Sequence, residues 1–432
     1  MNAERISIHD LGAPVYQGSV QNLYAVPGSD DQLVCETTKG GSVFDVGSIF
    51  EIEQNDVARS IFRHVTYTAL GNPETWTEVR AAIANDETID PALSDALRGE
   101  VLAGMEKAGA PTHHMGMLDA KTGEVVSGRL PENPSQFNVV RRFTVHRPER
   151  GHFLNRVVQD YRKFVGLSGH VVPLECLVRF GITSGSSIYR KYQDMSEAAK
   201  KAFEAELGAF EGLKSWEMLS TPILDFTSKF EAQDRPVSRQ EAFLMSGLTS
   251  EQFDTLGHLA LLGAWAVRNM VGRLGLTLWD LKWEFAFDGD SLLFVDTIDT
   301  DSIRATMTIE HDGDNVAIHF NKQSMRDYYH VMHQNWLDAL AEAKADSVRT
   351  GESFNAILTT RQAEGDAPTN PTVDGDFLDI QKEKMAAVRD GITSSEDVSE
   401  RLRACAKREI KFYEDREKFS KILNINRLPG NV

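Results

Sequence analysis

The sequence predicts an α+β protein, and three observations support this fold class. Residues 278–304 have the apolar and charged alternation of a β-hairpin. Strand patterns also fill Val15 to Val46, whereas helical spacing of apolar residues occupies Val57–Leu70 and Thr249–Gly275. The 432 residues are 41% hydrophobic and 25% charged, which is ordinary for a globular protein of two or three domains.

Composition argues against several classes of protein. A net charge of −18 disfavours a nucleic-acid-binding surface. Cys35, Cys176 and Cys405 lie far apart, so neither a disulfide framework nor a zinc cluster is expected. The amino-terminal residues lack the apolar core of a signal peptide, and charges such as Arg268 interrupt the apolar run His258–Trp279. We therefore predict a cytoplasmic protein without a membrane partner.

The predicted hairpin in residues 278–304 carries the clearest candidate site. Asp280, Lys282 and Glu284 share one face of its first strand, because strand side chains alternate with a period of two. Antiparallel pairing brings Asp296, at the end of the second strand, near Glu284. Two carboxylates beside a lysine suit Mg²⁺ and nucleotide phosphates. An ordinary hairpin with a solvated acidic face is the alternative.

A second motif lies in Val171–Ser187, where a strand is followed by a glycine turn. The strand presents Arg179, and the turn places Gly185 beside the small hydroxyl of Ser186. An arginine next to exposed backbone N–H groups and hydroxyls can bind phosphate. The alternative is a turn that only connects two elements.

Two further pairs of residues are candidates for ligand binding. Lys322 and Arg326 are spaced i, i+4 on a predicted helix, so they can bind a dicarboxylate or phosphate together, or form a solvated basic face. His113 and His114 are adjacent on a predicted strand and point to opposite faces, so we interpret them as structural.

These motifs resemble the two signatures of the SAICAR synthetase (phosphoribosylaminoimidazole-succinocarboxamide synthase) family. The matching residues are Pro173, Leu174, Glu175, Arg179, Thr183, Gly185 and Ser186 for the first signature, and Asp280, Lys282, Glu284, Asp296, Asp301 and Arg304 for the second. The resemblance implies a two-lobed, ATP-grasp-like body. It divides the chain into a β-rich nucleotide lobe with a helical insertion (1–150), a catalytic and substrate lobe (151–330) and a helical C-terminal tail (331–432). Within this tail the sequence pattern predicts helices at 331–346 and 394–425.

The resemblance also implies an ATP- and Mg²⁺-dependent ligase of purine biosynthesis. Such an enzyme joins a phosphoribosyl carboxy-aminoimidazole to aspartate, so its partners are small molecules, and a homo-oligomer is compatible with it. The implied catalytic residues are Lys229, Asp234 and Lys282; the nucleotide-binding residues are Gly18, Ser42, Asp45, Lys282 and Glu284; the substrate-binding residues are Glu175, Arg179, Gly185, Ser186, Asp301, Arg304, Lys322 and Arg326; and the metal ligands are Glu284 and Asp296.

The chain departs from the family pattern mainly on the nucleotide side. Ser19 and Gln21 stand where the family has cations, Thr297 replaces an acid, and Gln233 replaces a histidine. Three interpretations stay open: a divergent SAICAR synthetase, a paralogue that ligates another carboxylate and amine, and a non-catalytic nucleotide-binding relative. Retention of both metal carboxylates favours an enzyme.

Overall fold

A computed structural model of the chain describes residues 5–207, 212–231 and 234–429. The strands in these ranges are β1 (Tyr16–Gln17), β2 (Gln21–Ala25), β3 (Gln32–Thr37), β4 (Gly40–Ser42), β5 (Ser48–Glu51), β6 (His114–Leu118), β7 (Val125–Val126), β8 (Phe137–Arg141), β9 (Glu149–Phe153), β10 (Arg156–Asp160), β11 (His170–Ile182), β12 (Glu217–Ser228), β13 (Pro236–Val237), β14 (Thr277–Phe287), β15 (Leu292–Val295), β16 (Ile303–His311) and β17 (Asp314–His319). The helices are α1 (Asn55–Leu70), α2 (Pro73–Asn85), α3 (Pro91–Leu97), α4 (Glu100–Ala108), α5 (Ser187–Gln193), α6 (Glu197–Leu207), α7 (Arg239–Ser246), α8 (Ser250–Gly272), α9 (Gln323–Met332), α10 (Gln334–Thr350), α11 (Phe354–Glu364), α12 (Gly375–Thr393), α13 (Ser399–Glu414) and α14 (Phe419–Asn426).

Two antiparallel sheets organise the described residues. The first has the strand order β1-β2-β3-β8-β6-β7, and α1 packs against β3, β6 and β8. The second has the order β13-β12-β11-β14-β16-β17, with β15 also paired to β14. Alternating Val and aromatic residues in these strands bury one face of each sheet.

The second sheet buries the apolar face of the predicted hairpin beneath α8. Trp283 and Phe285 lie on this face and are almost fully buried. Gly263 of α8 allows the ring of Phe294 to approach closely, because a Cβ at Gly263 would lie only 2.7 Å from that ring. Glu284 pairs with Val295 across the β14–β15 hairpin, which confirms the predicted antiparallel register. The charged face of β14 therefore points away from α8, towards the candidate site.

Side-chain caps begin α7 and α8. Ser238 Oγ accepts a hydrogen bond from the backbone N–H of Glu241 at the start of α7. A reciprocal capping box forms at α8, between Thr249 and Gln252. Each cap satisfies amide groups that the helix itself leaves unpaired.

The C-terminal region contains more helix than the sequence predicts. Helical stretches were expected at 331–346 and 394–425, but α11 and α12 also form within residues 354–393. The buried stripe of α12 includes Gln381 and Lys384, and these polar residues interrupt its apolar periodicity. The division of the chain at residues 150 and 330 stays a prediction. Among the described helices, none is long and apolar enough to cross a membrane.

A ribbon of β9 and β10 interrupts the connection between the two sheets. The backbone N–H of Thr144 donates to the carbonyl of Gly169, and that of Val171 donates to the carbonyl of Thr144. The segments that lead into and out of the β9–β10 ribbon therefore lie side by side, next to the buried imidazole of His170.

We predict that His170 makes the fold sensitive to acid. Burial, followed by the charge of His146, lowers the pKa of His170 from 6.5 to about 4. The unfolded chain therefore protonates His170 at a higher pH than the folded chain does. The free energy of unfolding falls as the pH decreases from about 6.5 towards 4. His170→Phe should reduce the stability lost between pH 7 and pH 4.5 by about 1–2 kcal/mol in urea titrations. His152→Gln, on the exposed ribbon, is the matched control and should leave the wild-type pH profile unchanged.

Candidate active site

Three neighbouring strands present the candidate site on one face of the second sheet. In the β11–β14 pair, Glu175 lies opposite Glu284 and Arg179 lies opposite Asp280. In the β11–β12 pair, Glu175 lies opposite Thr227. Because side chains alternate along each strand, these residues share the face that α8 leaves uncovered. The register thus brings the two sequence signatures together.

A lysine cluster, consisting of Lys229, Lys282, Glu175, Glu284 and Asp296, occupies one end of this face. Lys282 Nζ donates to Glu175 Oε1 at 2.6 Å and to Glu284 Oε1 at 2.7 Å. Lys229 contacts the other carboxylate oxygen of Glu284, and its Nζ lies 3.8 Å from Asp296 Oδ2. Glu284 is 2% exposed, so this carboxylate is held by ammonium groups and not by bulk water.

Burial and mutual charge set the protonation behaviour of the cluster. Burial, followed by the charge of Asp296, raises the pKa of Glu284 to about 7. Burial also acts on Asp296, but Lys229 and Lys282 outweigh it and hold the pKa of Asp296 below its usual value. Burial and the charge of Glu175 raise the pKa of Asp234. The carboxylates therefore repel one another in a poorly solvated space.

The donor set of the lysine cluster fits a divalent cation. Three carboxylates, those of Glu175, Glu284 and Asp296, form ion pairs with the ammonium groups of Lys229 and Lys282. One negative charge remains when all three are ionised, and Mg²⁺ needs only one or two protein carboxylates when phosphate and water complete its octahedron. Among the described residues, His311, Asp312 and Glu414 form the one group of three potential metal ligands whose donor atoms lie close to one another. This group lies outside the sheet face of the candidate site.

The other end of the sheet face forms an anion pocket, which we define by Arg179, Ser186, Arg304, Lys322 and Arg326. Arg179 Nη1 donates to Ser186 Oγ at 3.2 Å, as the sequence motif predicted. Arg304 Nη1 donates to the hydroxyl of Thr183 at 3.0 Å. Arg304 Nε is buried and has no hydrogen-bond partner among the described residues. A guanidinium with an unused donor suits an oxyanion.

Lys322 and Arg326 bring two further cations to this pocket. Both lie at the start of α9, and the N–H of Arg326 donates to the carbonyl of Lys322. Burial is the main cause that lowers the pKa of each group, and each is further lowered by nearby cations. Within the described ranges neither side chain forms an ion pair with a carboxylate. Poorly solvated cations without a paired carboxylate favour an anionic ligand.

Asp280 lies between the two arginines of the anion pocket, Arg179 of β11 and Arg304 of β16. Its Oδ2 accepts from Arg304 Nη1 at 2.7 Å and lies 3.5 Å from Arg179 Nη1. Asp225 on β12 accepts from Arg179 Nε at 2.6 Å. These carboxylates orient the two guanidinium planes, so the pocket is held in position before a ligand binds.

Three predicted nucleotide residues, Gly18, Ser42 and Asp45, belong to the N-terminal region. The N–H of Gly18 donates to the carbonyl of Gln21 within its own turn. Asp45 is 82% exposed and forms an ion pair with Lys344 of α10. Ser42 lines a cavity that Lys322 also lines. Gln233 lies outside the described residues.

Sequence reasoning missed a buried arginine pair beside the anion pocket. Arg59 and Arg63 of α1 both contact Asp299 Oδ2, at 3.1 and 3.3 Å, and Arg59 also contacts Asp301 at 3.1 Å. Asp301, a predicted substrate residue, thus forms an ion pair with α1. The sequence gives only a weak signal, because α1 is amphipathic and two arginines at i, i+4 also fit a solvated helix face.

Comparison with known proteins identifies the family to which this chain belongs. The model of the SAICAR synthetase family, a family of ligases, matches residues 106–343. This match covers more than half of the chain, and the chain belongs to the SAICAR synthetase family. The predicted family and the α+β fold class are confirmed.

The curated relatives carry the full name of this synthetase. A putative phosphoribosylaminoimidazole-succinocarboxamide synthase of Archaeoglobus fulgidus is 31% identical over 243 residues, covering 56% of this chain and 66% of the relative. The synthase of Pyrobaculum aerophilum is 25% identical over 167 residues, covering 37% and 63%. The chain thus spans somewhat less than two thirds of the length of each. The solved SAICAR synthase of Saccharomyces cerevisiae, complexed with SAICAR, has 16% identity and a TM-score of 0.48, covering 91% of this chain and 99% of that one.

We predict that Asp299 stabilises the fold beneath the site. Asp299→Ala leaves the guanidinium groups of Arg59 and Arg63, which are 2% and 1% exposed, without their shared carboxylate. The free energy of unfolding should fall by about 3–5 kcal/mol in urea titrations. Asp254→Ala removes an exposed ion pair with Arg239 and should change the free energy of unfolding by less than about 0.5 kcal/mol. Equal effects of the two variants would contradict the assignment.

Proposed function

We propose that this protein is an ATP-dependent ligase that joins a phosphoribosyl carboxy-aminoimidazole to aspartate. This is the C–N bond-forming step of purine biosynthesis named by its curated relatives. The observation that carries the proposal is the presence of a lysine cluster and an anion pocket on one sheet face, to which β11 contributes Glu175 and Arg179 respectively. The lysine cluster suits the phosphates and metal ion of ATP, and the anion pocket suits the phosphate of a phosphorylated substrate.

The anion pocket is the proposed site of the substrate phosphate. Arg179 and Ser186 supply a guanidinium and a hydroxyl, and the turn that contains Gly185 supplies backbone N–H groups. Arg304 adds a second guanidinium with an unused donor. Glu175, fixed by Thr227 and Lys282, lies farther along the same strand, where it can face the imidazole ring.

The lysine cluster is the proposed site of the ATP phosphates. Glu284 and Asp296 would hold Mg²⁺, which neutralises phosphate charge and orients the phosphates when it is bound. Lys282 and Lys229 place two positive charges beside them. These two lysines belong to the family pattern, so the site would keep them although Ser19 and Gln21 stand where the glycine turn of the family has cations.

The proposed chemistry has two steps. The substrate carboxylate attacks the γ-phosphorus of ATP, which forms an acyl phosphate and releases ADP. The amine then attacks the acyl carbon, the C–O bond to phosphate breaks, and phosphate leaves. Asp234, whose pKa is raised by burial and by Glu175, would take the proton that the amine loses. Lys322 and Arg326 would bind the carboxylates of aspartate or share the phosphate.

The first prediction of this proposal is strict dependence on all substrates. ADP release should require Mg²⁺-ATP, carboxyaminoimidazole ribonucleotide and L-aspartate together, because the acyl phosphate forms only in the complete site. A coupled ADP assay measures this. Thermal stabilisation by the imidazole nucleotide without turnover would instead indicate a paralogue or a non-catalytic relative.

The second prediction separates substrate binding from turnover. Arg179→Ala should weaken binding of the imidazole nucleotide by about 100-fold, which equals about 2.8 kcal/mol, because it removes the guanidinium of the anion pocket. Glu284→Gln should change that affinity by less than about threefold while lowering kcat by at least about 100-fold. Calorimetry and the ADP assay measure the two effects.

Arg239→Ala is the matched control for the arginine variant, because Arg239 pairs with Asp254 on an exposed surface. It should bind the imidazole nucleotide as the wild type does. Unchanged binding by Arg179→Ala would remove Arg179 from the proposed phosphate site.

A further inference from the structure

Helices α12 and α13 pack on the body of the protein through a buried ion pair. Lys384 of α12 and Glu409 of α13 are in contact, and their side chains are 0% and 2% exposed. Helix α12 also packs against α1, and α13 packs against β16. The C-terminal helices are thus part of the same packed structure as the candidate site.

Most of the remaining hydrogen bonds of this ion pair go to His319 and Ser324, at the end of β17 and the start of α9. Lys384 Nζ donates to the carbonyl of His319 at 2.7 Å and to Ser324 Oγ at 3.2 Å. Ser324 Oγ lies 2.9 Å from both carboxylate oxygens of Glu409. Gln381 Nε2 also donates to Glu409 Oε2 at 2.9 Å. An ion pair this well hydrogen-bonded holds its partners in one arrangement.

Ser324 lies between the residues of α9 that face the anion pocket. Gln323 precedes it and packs under the glycine turn, because a Cβ at Gly185 would lie 3.1 Å from Gln323 Nε2. Arg326 Nη1 donates to Gln323 Oε1 at 3.3 Å. A rotation of α9 at Ser324 would therefore move Gln323 and Arg326 relative to the glycine turn.

The C-terminal helices contact α9 at a second point one turn further on. Asp327 is buried and accepts from Gln323 Nε2 and from Asn426 Nδ2, each at 2.9 Å. Asn426 is the last residue of α14. Helix α9 is thus fixed on its buried side by residues from three C-terminal helices, while its other side faces the pocket.

We propose that the Lys384–Glu409 pair is a positioning device that sets, through Ser324, the placement of Gln323 and Arg326 in the anion pocket. Neither residue touches the pocket itself. The inference rests on the proposed function only in taking this pocket to be the phosphate site of the substrate.

The test compares two ion pairs that join the same two helices. Lys384→Met with Glu409→Met replaces the buried pair by apolar side chains, a change that proteins often tolerate. Glu383 and Arg408, the adjacent residues, form a pair in which each side chain is 48% exposed. Glu383→Met with Arg408→Met is therefore the matched control, because it removes a contact between α12 and α13 without touching Ser324.

Binding of inorganic phosphate, measured by phosphorus NMR on the full chain, is the first readout because it needs no turnover. The buried double variant should bind phosphate at least about fivefold more weakly, and the exposed double variant within about twofold of the wild type. In the ligase assay, KM for the imidazole nucleotide should rise while KM for ATP and kcat change little. Equal phosphate affinity in a folded buried variant would overturn the proposal.

Ser324→Ala covers the case in which the buried double variant does not fold. It keeps the ion pair and removes only the hydroxyl that connects the pair to α9. Phosphate affinity should again fall, and an unchanged affinity would overturn the proposal. Absence of ligase turnover in the wild type, with the phosphate effects intact, would refute the proposed function and leave the positioning role supported.

Discussion

The antiparallel pairing of β11 with β14 is the constraint on which the site depends. It places Glu175 opposite Glu284 and Arg179 opposite Asp280, so two stretches that are distant in sequence act as one surface. A shift of one residue would turn the charged side chains of β14 towards α8, into an apolar layer where ions are costly. The packing of Trp283 and Phe294 against α8 therefore fixes the chemistry on the opposite face.

The two ends of this face carry opposite net charges. In the lysine cluster, carboxylates outnumber ammonium groups and the excess is negative. In the anion pocket, cations outnumber the carboxylates that orient them. A ligand with a phosphate at one end and a bound cation near the other would complete both. An acidic protein can thus bind acidic substrates, because local charge and desolvation matter more than net charge.

Local patterns predicted the parts of the site that lie within one strand or turn. The period of two placed Asp280, Lys282 and Glu284 on a common face, and the strand and turn of the first signature placed Arg179 beside Ser186. Long-range partners were not predictable in this way. Asp299 contacts Arg59, which lies 240 positions earlier in the sequence, and no local periodicity specifies which carboxylate pairs with a given arginine. The sequence also left α12 unpredicted, because its buried face includes a charge whose partner lies on another helix.

The contacts of α9 also bear on the order in which the protein is made. A ribosome synthesises Arg326 long before Glu409 and Asn426, which hold the buried side of its helix. While those residues remain in the exit tunnel, the strands of the sheet have already been made, but Ser324 and Asp327 lack these partners from α13 and α14. The anion pocket is therefore held in its final arrangement only late in synthesis.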